Sequence, residues 1–187
     1  MIILGIDEAG RGPLSGPVVV AGVILDLAKP IDGLGDSKKL SEKKRELLYG
    51  LIVSQAIAYS IVEVSSKEID SMNILQATLY GMNKVADNLK GQFDKALVDG
   101  NKLPNWNYHS EAIVKGDSKI KEISAASILA KVHRDRICLE NDRQYPQYGF
   151  AKHKGYPTKE HLENIQKYGV LDIHRKSYKP VSVLLEK

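Results

Sequence analysis

The sequence predicts an α/β fold in which helices pack on a mixed β-sheet. Three observations carry this. Across 187 residues, 43% are hydrophobic and 27% charged, the composition of a packed globular chain rather than a disordered one. Short runs of β-branched residues alternate with longer stretches whose apolar positions repeat at helical spacing. Their order is strands, a helix, a strand, a helix, short strands and then helices, which suits a mixed sheet. No repeat, low-complexity tract or linker interrupts this order, so residues 1–187 are expected to form one domain.

Met1 to Ile6 is apolar and runs into the Gly-rich stretch Glu8-Ala9-Gly10-Arg11-Gly12-Pro13, predicting a buried strand and a tight loop. Pro17 to Leu25 reads as a second strand; its lack of alternation predicts burial on both faces. After Gly33 and Gly35, Ser41 can cap a helix with the apolar face Leu47, Leu48, Leu51 and Ile52. Ala56 to Val64 reads as a third strand, followed by a helix from about Asn73 to Leu89. Ala96-Leu97-Val98 and Ala112-Ile113-Val114 are short strands ending at Asp99-Gly100-Asn101 and Lys115-Gly116-Asp117. Ser118 to about Asp142 reads as a long helix, with Ser124-Ala125-Ala126-Ser127 small enough to pack closely on the sheet. Gln144 to Pro157, rich in aromatic, Gly and Pro residues, reads as a loop. Lys159 to Tyr168 reads as a short helix, and Val181 to Leu185 is expected to close the fold.

Several classes are excluded. The apolar run Val18 to Leu25 is far short of the ~20 residues of a membrane helix. Met1 to Ile6 lacks the preceding positive charge of a signal peptide and stops at Asp7-Glu8. A lone Cys138 forms no internal disulfide, which points to a reducing cytoplasm. The net charge of +4 is mild, and size and surface charge point to a monomer. Basic residues gather at Lys38-Lys39, Lys43-Lys44-Arg45, Lys115 to Arg136 and Lys152 to Lys159. Each cluster alone suits a solvated helix face; a duplex partner needs them on one surface.

The chemical signal is positional. Asp7 and Glu8 end the first strand, Asp99 ends a later one and Asp117 follows another. Adjacent strands lie ~4.8 Å apart, so carboxylates at neighbouring ends can converge. Acids that close repel unless cations sit between them, and hard oxygen donors suit Mg²⁺ or Mn²⁺. Two such ions form an apparatus for in-line displacement at phosphorus. Taken singly, Asp99-Gly100 is also a turn signal and Asp117 also a helix N-cap. Other motifs fail: Gly10-Arg11-Gly12 lacks the third glycine of a dinucleotide site, and no Walker-type Gly-Lys-Ser/Thr occurs. Cys138 has no evident base partner and reads as helix packing. His109, His133, His153, His161 and His174 show no zinc-ligand spacing and are expected on the surface or in loops, and Trp106 and Phe150 read as loop aromatics.

Read together, five segments resemble the motifs of the bacterial ribonuclease HII family, the type 2 ribonucleases H. They are Gly5 to Pro13, Asp36-Ser37-Lys38-Lys39-Leu40, Val98-Asp99-Gly100-Asn101, Lys115-Gly116-Asp117-Ser118 with Ile123 to Lys131, and His153-Lys154-Gly155-Tyr156-Pro157-Thr158. The resemblance spans nearly the whole chain, in order. It implies an RNase H-like fold with a helical carboxy-terminal part, in which residues from about 144 form a substrate-binding loop and helices. It implies hydrolysis of RNA in RNA–DNA hybrids and cleavage 5′ to single ribonucleotides in duplex DNA, leaving a 3′-hydroxyl and a 5′-phosphate. Asp7, Glu8, Asp99 and Asp117 are then the catalytic acids that bind Mg²⁺ or Mn²⁺. Gly10, Arg11 and Gly12 contact the ribonucleotide, and Tyr156 stacks on the adjoining deoxyribose. Further substrate contacts fall on Ser37, Lys38, Lys39, Asn101, Lys115, Ser124 and Lys131. The sister family, ribonuclease HIII, carries an additional amino-terminal domain; with the acidic pair at Asp7, none is expected here.

Overall fold

The computed structural model describes residues 1–186. Its sheet is five-stranded, with β1 (Ile3–Ala9) at the centre, β2 (Val18–Ile24) and β3 (Ala58–Val64) on one side, and β4 (Lys95–Asp99) and β5 (Ser110–Ile113) on the other. β2 lies antiparallel to β1 and β3, whereas β4 runs parallel to β1 and β5 parallel to β4. This is the mixed sheet that the element order predicts. Every residue of β2 is buried, as its unbroken apolar run requires. Val19, Ala21 and Val23 pack on one face and Val20 and Ile24 on the other.

Two helical layers cover the sheet. Helix α1 (Glu42–Gln55) is capped by Ser41, whose Oγ accepts from the Lys44 N–H at 3.1 Å. It presents Leu48 and Ile52 to the core; Leu47 is 60% exposed, so the stripe is narrower than the sequence suggests. A short helix α2 (Ser66–Met72) follows β3. It was not expected, yet Ser65 and Glu68 carry its signal: a serine N-cap with an acid three residues on. Helix α3 (Ile74–Asn88) covers the second face with Met82, Val85 and Ala86.

The expected long helix from Ser118 is two elements. Helix α4 (Gly116–Lys119) is a single turn, Ile120 is extended, and helix α5 (Lys121–Gln144) begins after it. The break sets α5 against β1 so closely that a Cβ on Gly5 would collide with the Glu122–Ile123 backbone. Ala125 and Ala126 are fully buried in this seam. A short helix α6 (Phe150–His153) lies inside the expected loop, and α7 (Lys159–Tyr168) and α8 (Lys179–Leu185) complete the carboxy-terminal part. Leu14, Ile165 and Val181 form a separate apolar cluster that fastens this part onto the loop after β1. Among the described residues no helix is long and apolar enough to cross a membrane.

Candidate active site

Strand β1 does not stop before its acids. The ladder with β2 continues through Asp7 opposite Ala21, Glu8 opposite Val20 and Ala9 opposite Val19, so both carboxylates stand on rigid central backbone. On the other side Gly5 pairs with Leu97 and Ile6 with Val98. One step further along that parallel register Asp7 lies level with Asp99, on an adjacent strand and on the same face.

Asp117 is brought in by a sharp turn after β5. Lys115 adopts left-handed backbone (φ 56°), and Gly116 is wedged between α5 and the sheet, where a Cβ would meet Ile123 Cδ1 at 2.6 Å and Ile113 Cβ at 3.3 Å. The Asp117 N–H then donates to Asp99 Oδ1 at 3.2 Å. The four acids line one cleft of about 780 Å³. Among the described residues no three of them form a ready-made chelate. They share a cavity without being closed onto one point.

Their electrostatics are those of crowded, poorly solvated anions. Burial pushes the Asp7 carboxyl well above its ordinary range, and Glu8, Asp99 and Asp117 push it further. Burial raises Glu8 too, partly offset by Arg11, whose guanidinium lies 3.9 Å away. Asp117 is raised by burial, Asp99 and Asp36, and lowered by Lys38. The buried Glu8 Oε2 has no hydrogen-bond partner among the described residues. An orphaned oxygen in a cleft shared with three further carboxylates fits a divalent cation, which supplies both the missing ligand and the missing charge.

The remaining predicted residues divide. Gly10, Arg11, Gly12, Ser37, Lys38, Lys39, Lys115, Lys131 and Tyr156 all line the same cleft. Ser37 is buried and its Oγ lies 2.7 Å from Ser127 Oγ, so it anchors the Lys38-Lys39 turn from beneath. Ser124 is not brought to the cleft: it is buried, and its hydroxyl donates to the Gly35 carbonyl at 2.7 Å. Its role in the fold is to hold that loop. Asn101 is exposed on the turn after β4, outside the cleft lining. Asp36, unassigned by the sequence, lines the cleft and caps the Ser37–Lys39 turn through the Lys38 N–H.

Tyr156 sits opposite the Gly10–Gly12 loop, 43% exposed, and a Cβ on Gly12 would approach its ring to 3.3 Å. Its backbone is held by histidines, contrary to the expectation that these are surface or loop residues. His153, His161 and His174 are all buried, in contact with Phe150 and one another. The Leu171 N–H donates to His174 Nδ1 at 2.9 Å, which leaves the His174 proton on Nε2. That proton faces His161 Nε2 at 3.0 Å, and His161 Nδ1 in turn donates to the Tyr156 carbonyl at 2.9 Å. One set of neutral tautomers satisfies every contact. Burial accordingly lowers His161 to about 4 and His174 to about 3.

Sequence reasoning also missed two arginines. Arg134, counted with a basic surface cluster, is buried and donates to the carbonyls of Ser15, Pro17 and Lys154. Arg175 is wholly buried behind the Gly10–Gly16 loop. Neither has a pattern in sequence, because a carbonyl partner leaves no side-chain signature.

The family model for ribonuclease HII matches residues 4–181. The chain belongs to the ribonuclease HII family. Its curated relatives include a ribonuclease HII of Francisella philomiragia, 80% identical over 99% of this chain and 100% of the relative. Among solved structures, the ribonuclease H2 of Pyrococcus horikoshii superposes with a TM-score of 0.80 at 29% identity, covering 100% of this chain and 98% of the other. An Archaeoglobus fulgidus ribonuclease HII, solved in complex with PCNA, gives 0.78 at 26% identity over 96% of each chain. The chain is thus a ribonuclease H enzyme with an RNase H-like α/β fold.

Proposed function

We propose that this chain cuts the RNA strand of RNA–DNA hybrids and nicks duplex DNA on the 5′ side of single embedded ribonucleotides, leaving 3′-hydroxyl and 5′-phosphate ends. The observation that carries the reading is the shared cleft: four acids face a glycine-lined loop and an exposed tyrosine. A ribonucleotide differs from its deoxy counterpart by one hydroxyl, so discrimination needs polar groups close to the sugar. Gly12 allows that approach because it places no Cβ between the loop and the Tyr156 ring, while Gly10 lets the loop turn over Arg134, which a Cβ there would strike. The Tyr156 ring then covers the next sugar, where a deoxyribose fits and selects an RNA-to-DNA junction.

Asp7, Glu8, Asp99 and Asp117 would hold Mg²⁺ or Mn²⁺. Such ions, when bound, supply charge stabilisation at phosphorus and a more acidic attacking water. The chain's own residues do the positioning. The central strands fix Asp7, Glu8 and Asp99; the Lys115–Gly116 turn fixes Asp117; Lys38, Lys39, Lys115 and Lys131 offer phosphate contacts that do not read sequence. The role that follows is removal of ribonucleotides from DNA.

The test is a labelled duplex with one ribonucleotide beside its all-DNA counterpart, each with Mg²⁺, Mn²⁺ or chelator. Fragments are expected only from the ribonucleotide duplex and only with metal. Retention of duplex without fragments in every condition would point to a binder; cutting of all-DNA duplex would point to a different nuclease.

A further inference from the structure

Arg175 carries a charge that the catalytic reading does not use. It is fully buried, yet among the described residues no carboxylate pairs with it. A guanidinium removed from water is costly unless its N–H groups are satisfied. Here backbone carbonyls of a single loop satisfy them. Nη2 donates to Gly10 at 2.6 Å, Nη1 to Pro13 and Arg11 at 2.8 and 3.0 Å, and Nε to Gly16 at 3.0 Å. Tyr178 adds its hydroxyl to the Arg11 carbonyl and accepts from Arg175 Nη1 at 3.0 Å.

The consequence lies on the other side of the peptide planes. In a trans peptide the carbonyl and the following N–H point in opposite directions. With the Gly10 and Arg11 carbonyls drawn inward to Arg175, the N–H groups of Arg11 and Gly12 are turned outward. Both residues are exposed and line the cleft, and neither N–H has an acceptor among the described residues. Two adjacent free donors facing a cleft suit an oxygen of the substrate.

We propose that Arg175 is a positioning residue for ribonucleotide recognition, fixing the Gly10–Gly12 backbone so that two amide donors meet the 2′-hydroxyl region of the substrate. This rests on the substrate reading above. It differs from a purely structural staple in what it predicts for substrate preference. A lysine at 175 keeps the charge but loses the planar fork that reaches several carbonyls at once.

The experiment measures binding of a one-ribonucleotide duplex and its all-DNA counterpart to a non-cleaving Asp99→Asn parent, with and without Arg175→Lys, and monitors folding by thermal melting. The preference for the ribonucleotide duplex is expected to fall about tenfold, with all-DNA binding changed less than about twofold. Tyr178→Phe, which retains Arg175, is expected to lower the preference less and in the same direction. Equal weakening on both duplexes, or an intact preference, overturns the proposal. If Arg175→Lys does not fold, Tyr178→Phe decides: an unchanged preference overturns it. A parent without any preference would instead sink the substrate reading, and this inference with it.

Discussion

The backbone N–H of Asp117 donates to the carboxylate of Asp99 across 3.2 Å, joining a turn after β5 to the end of β4. The bond ties two acids that are 18 residues apart in sequence into one wall of the cleft. It also makes Asp99→Asn a clean probe. The amide oxygen can still accept from Asp117, so the turn is kept while one negative charge is removed.

Asp99→Asn is therefore expected to fold and bind RNA–DNA hybrid near wild-type affinity while losing cleavage by at least ~10²-fold, the scale on which removing one preorganised electrostatic contact slows an enzyme. Single-turnover cleavage and hybrid binding on the same preparation check it. A variant that cuts at the wild-type rate would remove Asp99 from the metal site.

Tyr156→Ala is expected to act selectively. The ring is exposed and packs against Gly12 without supporting the core, so stability changes by less than about 1 kcal/mol. Aromatic stacking on a base is worth about 1–3 kcal/mol, and on that scale cleavage at single ribonucleotides should fall roughly 5- to 140-fold. Long hybrids, which offer many registers, should suffer less. Equal loss on both substrates would make Tyr156 a structural residue.

The histidine chain behind Tyr156 gives the fold a pH dependence with a definite sign. His161 and His174 titrate near 4 and 3 in the folded protein, against ~6.5 in an unfolded chain. Above ~6.5 both states are neutral and no difference arises. As pH falls from there toward 4 and then 3, the unfolded chain takes up protons that the folded one refuses, so stability is lost at up to about 1.4 kcal/mol per pH unit for each imidazole. Asp7 and Glu8 act in the opposite sense, since a raised folded pKa favours the folded state as protons bind. Between pH 7 and pH 5 the melting temperature of the wild type should fall relative to that of a paired His161→Asn, His174→Gln variant, in which the carboxylate contribution is common. A wild-type profile parallel to that of the variant would refute the neutral chain.

Much of this was legible in the sequence, for identifiable reasons. The apolar stretch Pro17 to Leu25 announced a strand buried on both faces, found at Val18–Ile24, and the small residues Ser124 to Ser127 announced close helix–sheet contact. The acids were visible because two adjacent carboxylates interrupt an apolar strand. What stayed hidden depends on partners distant in the chain. Arg175 meets carbonyls 159 to 165 positions away, and His174 faces His161 through a packing that no periodicity encodes. Ser124 illustrates the converse: a residue inside a recognised motif turned out to hold Gly35 in place instead of reaching the cleft. The break at Ile120 was missed because Asp117 and Ser118 are both good helix starters, and the extended backbone at Ile120 that separates α4 from α5 has no signal in the local sequence.

We propose that the acids at the ends of β1 and β4 and in the turn after β5 are crowded together to hold divalent cations. Calorimetric titration of Mn²⁺ into the wild-type protein and into Asp7→Asn, with melting temperatures recorded on both, tests it most directly. Removing the buried charge of Asp7 should raise the metal-free melting temperature, because its raised pKa marks an anion that the fold tolerates at a cost in stability. Added Mn²⁺ should bind and stabilise the wild type by mass action and do neither for the variant. Equal Mn²⁺ binding by the two proteins, or none by the wild type, would contradict the account.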